Sequence, residues 1–363
     1  MRSDGKSYQN DALPAIDYDK HPAYGRVLPM AMLGARLKAM VYFGYGLTQA
    51  SSRRVVDIEH LPHPAEGDQK ISSVARLLPT YLRLILLQRL SRLAAGNSFK
   101  PKTARGTELL EPLQRDGVAP FRITADKIAE LRNLLAPQIK TLEQQLSAKP
   151  AANPYADETR LVLDPASAAD IYQAVNQLAG DSGVLEAASA YLKRPVGVGQ
   201  VALQINDQTS GPSEFADVGV EASPCNHFHV DTSFNILRAV IYLSDTSASN
   251  GPLTYVVGSQ RAAKGVWDGL VRSANDYSGL SATWPSAREL FFALPEGLRR
   301  KATFGVDLAA ETDQANAVIN NQWAVTSDIG NAALYDPAGI HRDGVVSQGR
   351  RIAVTLKLTE LAR

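Results

Sequence analysis

The stretch Ile-Ala-Val-Thr-Leu-Lys-Leu, residues 352–358, is the last of five short runs of strand-forming residues that follow Pro195. The four earlier runs cover residues 196–205, 236–243, 253–257 and 332–335. Turn-forming residues separate them, as at Asn250-Gly251. Several short strands with turns between them are typical of a β sandwich or jelly roll. The sequence therefore predicts a mainly β fold in its second half.

Helical patterns dominate before Pro195. Thr124 is a good N-cap for a helix with Asp126 in its first turn, and helical spacing recurs over residues 166–178 and 183–192. We predict two parts: an accessory, largely helical segment at residues 1–105, and a jelly-roll domain at residues 106–363. A helix and loop insertion interrupts the second part at about residues 261–325. Its tryptophans would cover a substrate or pack in the core, and the sequence contains three: Trp267, Trp284 and Trp323.

Composition limits the possible partners. The 363 residues include 38 basic and 37 acidic side chains, for a formal net charge of +1, which gives no reason to expect a nucleic-acid partner. The apolar stretches 28–47 and 74–93 contain charged residues or proline, so neither predicts a membrane span. Residues 82–90 form an amphipathic pattern. Contact with a membrane surface or a carrier-bound substrate therefore stays open, as does the oligomeric state.

The cysteine content indicates in which kind of cellular compartment the protein resides. Cys225 is the only cysteine, which excludes an internal disulfide and favours a reducing environment, most simply the cytoplasm. The polar residues 1–6 do not resemble a secretory signal. We interpret the Cys225 thiol as a bystander rather than a nucleophile.

The segment Cys-Asn-His-Phe-His-Val-Asp, residues 225–231, carries the strongest chemical signal. Residues two apart on an extended strand project to the same side, so His229 and Asp231 can present an imidazole and a carboxylate to one point. His341, far downstream, would supply a third ligand. Two histidines and one carboxylate on one face of a metal leave other positions open, which suits non-haem Fe(II) oxygenases.

These residues lie within a longer pattern. His229-Val-Asp231, the run 238–245, Asn250-Gly-Pro-Leu and Val257-Gly-Ser-Gln are followed downstream by Asp336-Pro-Ala-Gly-Ile-His341 and the stretch 349–354. This order resembles the phytanoyl-CoA dioxygenase family of Fe(II)/2-oxoglutarate-dependent oxygenases, over roughly residues 108–358. The resemblance implies a double-stranded β-helix (jelly roll, cupin-like) core. It also assigns His229, Asp231 and His341 to the metal.

The same resemblance implies 2-oxoglutarate as co-substrate, bound by an arginine. A buried dicarboxylate needs a fixed cation, and a guanidinium matches a carboxylate in two hydrogen bonds. Arg350 and Arg351 are both available, but Arg351 shares a strand face with the small residues Ala353 and Thr355, which leave room for a ligand. We therefore assign Arg351 to 2-oxoglutarate. Thr254 and Gln204 are weaker candidates for the other carboxylate or the open side of the metal.

The implied activity is an Fe(II)- and 2-oxoglutarate-dependent dioxygenase that uses O2 and oxidises a C–H bond of a small organic substrate, releasing succinate. Hydroxylation is the usual outcome in such enzymes, and desaturation or ring formation are variations. Asp231 argues against halogenation, because related halogenases have a small residue at that position. His227 shares a strand face with His229 and Asp231, so it would act beside the ligands or face the substrate, or would itself be the first ligand.

Two other classes of protein fit parts of this pattern. A cupin-type metal enzyme would use the same histidines without 2-oxoglutarate and would not depend on Arg351. A non-catalytic jelly-roll binding protein would keep its histidines as packed core groups and would bind no stoichiometric iron. Fold alone does not separate these classes, because one architecture supports many functions.

Overall fold

The computed structural model describes residues 32–52, 99–148, 158–208, 236–247, 249–261, 293–295, 298, 322–326, 330–343, 346 and 348–361. The α-helices with described bounds are α1 (Met32–Ser52), α2 (Ala104–Asp116), α3 (Ala125–Leu134), α4 (Ala136–Ala148), α5 (Ala169–Asp181) and α6 (Val184–Leu192). The strands are β1 (Val118–Phe121), β2 (Glu158–Val162), β3 (Val196–Asp207), β4 (Leu237–Tyr242), β5 (Thr254–Val256), β6 (Gln322–Ala324), β7 (Ala332–Tyr335), β8 (His341–Arg342) and β9 (Arg350–Glu360).

The strands form two antiparallel sheets. The larger sheet has six strands in the order β1-β7-β4-β9-β3-β2, and the smaller has three in the order β6-β5-β8. From β4 onward the chain passes to the small sheet for β5 and β6, then alternates between the sheets through β7, β8 and β9. This alternation gives the predicted mainly β, jelly-roll core. The helices are additions to it.

The two faces of the six-stranded sheet bury different cores. One face packs against helices α2 to α6 through aliphatic side chains such as Leu203, Val354 and Leu356. The other contributes Val240, Ala353 and other residues to a second cluster, which also contains side chains of the small sheet. We call this second face the inner face. Successive side chains along each strand of this sheet face the two environments in turn, because they point to opposite sides of the strand.

The five strand runs expected from the sequence are confirmed, with ends shifted by a few residues. The helix after Thr124 begins at Ala125 as predicted, although the Thr124 side chain makes no capping hydrogen bond. The two later helices are confirmed as α5 and α6. After Leu192, Lys193 adopts a left-handed conformation with φ 55°, and Pro195 follows.

Helix α2 crosses the predicted boundary between residues 105 and 106, since it begins at Ala104. Its N-cap, Thr103, donates hydrogen bonds to Glu186 of α6 through both its backbone nitrogen and its hydroxyl. These bonds and the Lys102 nitrogen lower the pKa of Glu186. The chain just before the predicted boundary is therefore joined to the helical layer that covers the sheet.

Trp323 lies on β6 and is buried in the cluster between the sheets. This tryptophan packs in the core, whereas Trp267, Trp284 and most of the predicted insertion lie outside the described residues. No helix in the described ranges is both long enough and apolar enough to cross a bilayer.

Candidate metal and co-substrate site

His341 lies between the two sheets. It is directly opposite Tyr255 in the pairing of β8 with β5, so the two side chains share a face of the small sheet. The ring of His341 is 6.3 Å from the Tyr255 ring at an interplanar angle of 16°, and 5.3 Å from the ring of Tyr335 on β7. His341 is 4% exposed. The structure therefore places the predicted distal ligand in the space that the inner face encloses.

A backbone carbonyl group holds one nitrogen of the His341 ring in its protonated form. Nδ1 lies 2.8 Å from the carbonyl oxygen of Gly339. A carbonyl oxygen only accepts, so Nδ1 donates, and in the neutral ring the lone pair is on Nε2. Metal-binding histidines use this arrangement, in which one ring nitrogen is held by a carbonyl and the other coordinates.

A short turn before His341 is fixed by side chains from both layers. The carboxylate of Asp336 accepts hydrogen bonds from Ala338 N at 3.0 Å and from the Tyr191 hydroxyl of α6 at 2.7 Å. The Tyr255 hydroxyl donates to the Asp336 carbonyl oxygen at 2.9 Å. Asp336 is itself buried. The helical layer and the small sheet therefore set the course of the chain into His341 together.

The last residues of this turn are equally constrained. Ile340 N donates to the Ser259 hydroxyl at 2.7 Å, and Val256 N donates to the Ile340 carbonyl oxygen at 2.8 Å. A Cβ atom on Gly339 would overlap the Tyr255 hydroxyl and come within 2.9 Å of Ser259 Oγ. Only glycine fits here, and its carbonyl is the one that orients the His341 ring.

Arg350 and Arg351 lie on opposite faces of β9. The Arg350 side chain is 40% exposed and pairs with Asp207 at 2.6 Å and with Glu143 of α4 at 2.8 Å, on the helix side. Arg351 is 2% exposed and lies on the inner face. The face assignment made from strand alternation is confirmed. Arg350 is thus part of a surface ion-pair cluster, which raises the pKa of its guanidinium chiefly through the hydrogen bond to Asp207.

Two side chains hold Arg351 in place. Its Nη2 donates to Oδ1 of Asn206, the residue directly opposite on β3, at 3.0 Å. The same nitrogen lies 3.6 Å from a carboxylate oxygen of Asp343. A buried guanidinium anchored at one nitrogen is oriented before any ligand arrives, which reduces the entropy cost of binding a carboxylate.

Ala353 is the small, buried residue next to Arg351 on the inner face. It is directly opposite Gln204 of β3 on one side and Tyr242 of β4 on the other. Strands lie about 4.8 Å apart, so the Cα atoms of Gln204 and Tyr242 are roughly 10 Å apart, and only the methyl group of Ala353 stands between the two residues in this row. Arg351 is the diagonal neighbour of both, so the structure brings together two of the predicted co-substrate residues, Arg351 and Gln204.

Tyr242 adds a hydrogen-bond donor on the other side of Ala353. Its hydroxyl accepts from Leu253 N at 2.8 Å. Within the part of the chain that the structure describes, nothing accepts the hydroxyl proton. Burial raises the pKa of Tyr242 to about 12, against the smaller opposing effect of the nearby Arg351 charge. The hydroxyl therefore keeps its proton at neutral pH and can donate a hydrogen bond to an oxyanion.

Tyr242 should make stability depend on pH in the alkaline range. A tyrosine in the unfolded chain ionises near pH 10, whereas native Tyr242 holds its proton to about pH 12. The contribution of this pKa difference to the free energy of unfolding is therefore complete below pH 10 and is lost as the pH rises towards 12. We expect the free energy of unfolding of the wild type to fall more steeply than that of Tyr242→Phe, by about 1.4 kcal/mol per pH unit. Urea unfolding at pH 9 to 11.5 measures this, and parallel curves would contradict it.

Thr254 is not brought to this site. It pairs with Arg342 of β8 and Ala324 of β6, whereas the adjacent Tyr255 pairs with His341. Thr254 therefore lies on the face of the small sheet opposite to His341, and its hydroxyl donates to the Pro252 carbonyl oxygen at 3.3 Å. The strand alternation removes the geometric support for Thr254 as a co-substrate residue.

The first half of the predicted metal motif falls outside the described residues. His227, His229, Asp231 and Cys225 all lie in residues 209–235. Among the residues that are described, no group of three histidine, cysteine or acidic side chains forms a metal cluster. The assignments of His229 and Asp231 therefore stay predictions, and His341 is the one predicted ligand whose surroundings are visible.

Sequence reasoning missed Tyr242, Asn206 and Asp343. A tyrosine inside an apolar strand is expected to be a buried core residue. Asn206 becomes significant only because the strand register places it opposite Arg351. No signal in the sequence identified Tyr242, because the pairing of β4 with β9 that places it beside Ala353 is visible only in the structure.

Comparison with known proteins gives weak likenesses. No family model and no curated protein matches the chain. Among solved structures, EctD from S. alaskensis with 2-oxoglutarate and 5-hydroxyectoine is 17% identical, with a TM-score of 0.39, covering 72% of this chain and 78% of that one. HygX from Streptomyces hygroscopicus, with nickel and 2-oxoglutarate bound, is 16% identical, with a TM-score of 0.37 and coverages of 70% and 86%. The non-heme α-ketoglutarate-dependent epimerase SnoN is 14% identical, with a TM-score of 0.38 and coverages of 71% and 84%.

Proposed function

We propose that the chain is a non-haem Fe(II)- and 2-oxoglutarate-dependent dioxygenase of the phytanoyl-CoA dioxygenase type. It oxidises an unactivated C–H bond of a small organic substrate, most simply by hydroxylation, and converts 2-oxoglutarate to succinate. His229, Asp231 and His341 bind the iron in this proposal. The observation that carries it is the buried, anchored guanidinium of Arg351, which lies beside the small side chain of Ala353 and the polar side chains of Gln204 and Tyr242.

The residues present fit an iron ion. His341 has Nδ1 fixed by a carbonyl, which leaves the coordinating tautomer, and it lies between the sheets. His229 and Asp231 are close enough in sequence to supply the other two ligands from one strand. When bound, the iron would supply the O2 chemistry and hold the keto acid. The contribution of this chain is to fix the ligand geometry and leave positions open.

The residues also fit the distal carboxylate of 2-oxoglutarate. Arg351 offers a guanidinium of fixed orientation, and Tyr242 offers a hydroxyl proton at the adjacent position. Gln204 lies on the other side of Ala353, whose small side chain would leave room for the carboxylate. Such a set would bind a carboxylate in two or more hydrogen bonds and exclude water from it. Thr254 has no part in this arrangement.

The catalytic proposal is tested by co-substrate turnover without a known substrate. Enzymes of this class decarboxylate 2-oxoglutarate slowly when uncoupled, so the Fe(II)-loaded protein should release labelled CO2 from 1-labelled 2-oxoglutarate in air. Release should stop in His341→Ala. Equal release from the wild type and His341→Ala would mean that free iron is responsible and would overturn the proposal.

A larger side chain at position 353 should block the co-substrate. In Ala353→Leu three added carbon atoms would occupy the space between Gln204 and Tyr242, where the distal carboxylate is expected. We expect the 2-oxoglutarate concentration for half-saturation to rise at least tenfold while iron binding is unchanged. Calorimetric titration of the iron-loaded variant measures this, with the thermal midpoint as a folding check. Unchanged co-substrate affinity in a folded variant would show that the carboxylate lies elsewhere.

A further inference from the structure

Asp343 brings an acidic side chain to the co-substrate arginine. It comes directly after β8, two residues beyond His341. One of its carboxylate oxygens lies 3.6 Å from Nη2 of Arg351. Its charge also reaches Tyr242: burial is the main cause of the raised pKa of that tyrosine, and the Asp343 carboxylate adds to the rise. Asp343 therefore lies beside the side chains to which we assign the distal carboxylate of 2-oxoglutarate.

The contacts that Arg351 makes with Asn206 and with Asp343 differ in kind. The hydrogen bond to Asn206 Oδ1 is 3.0 Å long and fixes the direction of Nη2. The contact with Asp343 is longer than a hydrogen bond, and the Asp343 side chain is 32% exposed, against 3% for the Arg351 side chain. Asn206 is neutral, so it orients the guanidinium without changing the charge of the site. Asp343 adds a negative charge at close range.

A carboxylate bound to Arg351 would lie close to the carboxylate of Asp343. Oxygen atoms bound to a guanidinium lie about 2.8 Å from its nitrogen atoms, so the two carboxylates would be separated by roughly 5–8 Å. Like charges at this distance repel each other, and the repulsion is stronger beside a buried group than in bulk water. Arg351 therefore attracts the distal carboxylate of a ligand, whereas the Asp343 charge opposes it.

We propose that Asp343 sets the affinity of this site for the distal carboxylate: it weakens the binding of 2-oxoglutarate and of succinate, which carry the same carboxylate group. The inference deepens the proposed function and rests on it, because it concerns the same arginine. Succinate lacks the keto group of the co-substrate, so the interaction with Arg351 is a larger share of its binding. The Asp343 charge therefore favours release of this product.

Asp343→Asn tests the inference, because it removes the charge and keeps the shape of the side chain. Calorimetric titration of the iron-loaded variant without oxygen should show that 2-oxoglutarate binds about tenfold more tightly than to the wild type, or by about 1.4 kcal/mol. Succinate should also bind more tightly. The binding of 2-oxopentanoate, which has a methyl group in place of the distal carboxylate, should be unchanged.

Asp207→Asn is the matched control. The Asp207 side chain is 33% exposed and pairs with Arg350 on the other face of β9, so the same change there should leave all three affinities unaltered. Asp343→Glu keeps the charge and should bind 2-oxoglutarate no more tightly than the wild type does. Asp343→Ser removes the charge with a different side chain, and it provides an independent reading if Asp343→Asn does not fold.

Several outcomes would overturn the inference. Unchanged binding of 2-oxoglutarate by folded Asp343→Asn would show that the charge has no effect, and weaker binding would make Asp343 a support for Arg351 instead. An equal gain for 2-oxopentanoate, or an equal gain in Asp207→Asn, would show that the effect does not come from repulsion of the distal carboxylate. Failure of the proposed function looks different: neither the iron-loaded wild type nor any variant would bind 2-oxoglutarate, and the inference would fall with it.

Discussion

Arg351→Gln will raise the 2-oxoglutarate concentration needed for half-saturation about 100-fold or more. Arg351 is buried and held at Nη2 by Asn206, so a co-substrate carboxylate meets a guanidinium that is already oriented and poorly hydrated. Removing one partner of such a buried charge pair costs roughly 2–5 kcal/mol of binding free energy. Calorimetric titration of the iron-loaded protein without oxygen measures the change. Iron affinity itself should be unaffected.

The neighbouring arginine supplies the control. Arg350→Gln removes the same charge one residue earlier, but from the exposed cluster with Asp207 and Glu143. Exposed ion pairs contribute about 0–1 kcal/mol to stability, so this variant should fold normally and bind 2-oxoglutarate as the wild type does. If Arg350→Gln lost the co-substrate and Arg351→Gln kept it, the assignment of the two arginines would be reversed.

Gly339→Ala is expected to damage both stability and iron binding. The added methyl group would overlap the Tyr255 hydroxyl, which anchors the turn through the Asp336 carbonyl. Overpacking of this kind costs about 1–3 kcal/mol of folding free energy. The Gly339 carbonyl that orients His341 would also shift, and loss of such a supporting contact weakens metal binding about 10–100-fold. Urea unfolding and iron titration measure the two effects.

Gly180→Ala is the matched control for this substitution. Gly180 lies in α5, and a Cβ atom there would meet nothing within 4 Å. Alanine is favoured over glycine inside a helix by up to about 1 kcal/mol, so this variant should be as stable as the wild type or slightly more so, with normal iron binding. A Gly339→Ala protein that matched Gly180→Ala in both measurements would contradict the role given to the turn.

The long strands were predictable because their residues alternate or form apolar runs of sufficient length. Strand β7 was located to the residue, and β9 differed only at its ends. Four strands were missed: β1, β2, β6 and β8, which have four, five, three and two residues. Alternation is hard to recognise over so few positions. β6 and β8 are extended because each forms hydrogen bonds with β5, not because of a preference in their own sequences.

The site shows the same division between local and tertiary information. The choice of Arg351 over Arg350 needed only strand alternation and the small size of Ala353, and the observed faces agree with it. The sequence could not assign Thr254 to a face, because the run 253–257 is almost wholly apolar and does not reveal which alternate residues face the other sheet. The pairing of Tyr255 with His341 determines which side chains of this strand face the other sheet. The role of Tyr242 likewise depends on register, which no single strand carries.

The most direct test of the iron and 2-oxoglutarate assignment is an anaerobic titration of the metal-free protein with Fe(II) and then with 2-oxoglutarate, recorded by visible absorption. We predict a metal-to-ligand charge-transfer band in the wild type that is absent in His341→Ala and that needs much more co-substrate in Arg351→Gln. Stoichiometric iron without a band would contradict the assignment and favour a metal enzyme independent of 2-oxoglutarate. A wild-type protein that binds no iron would be a jelly-roll binding protein instead.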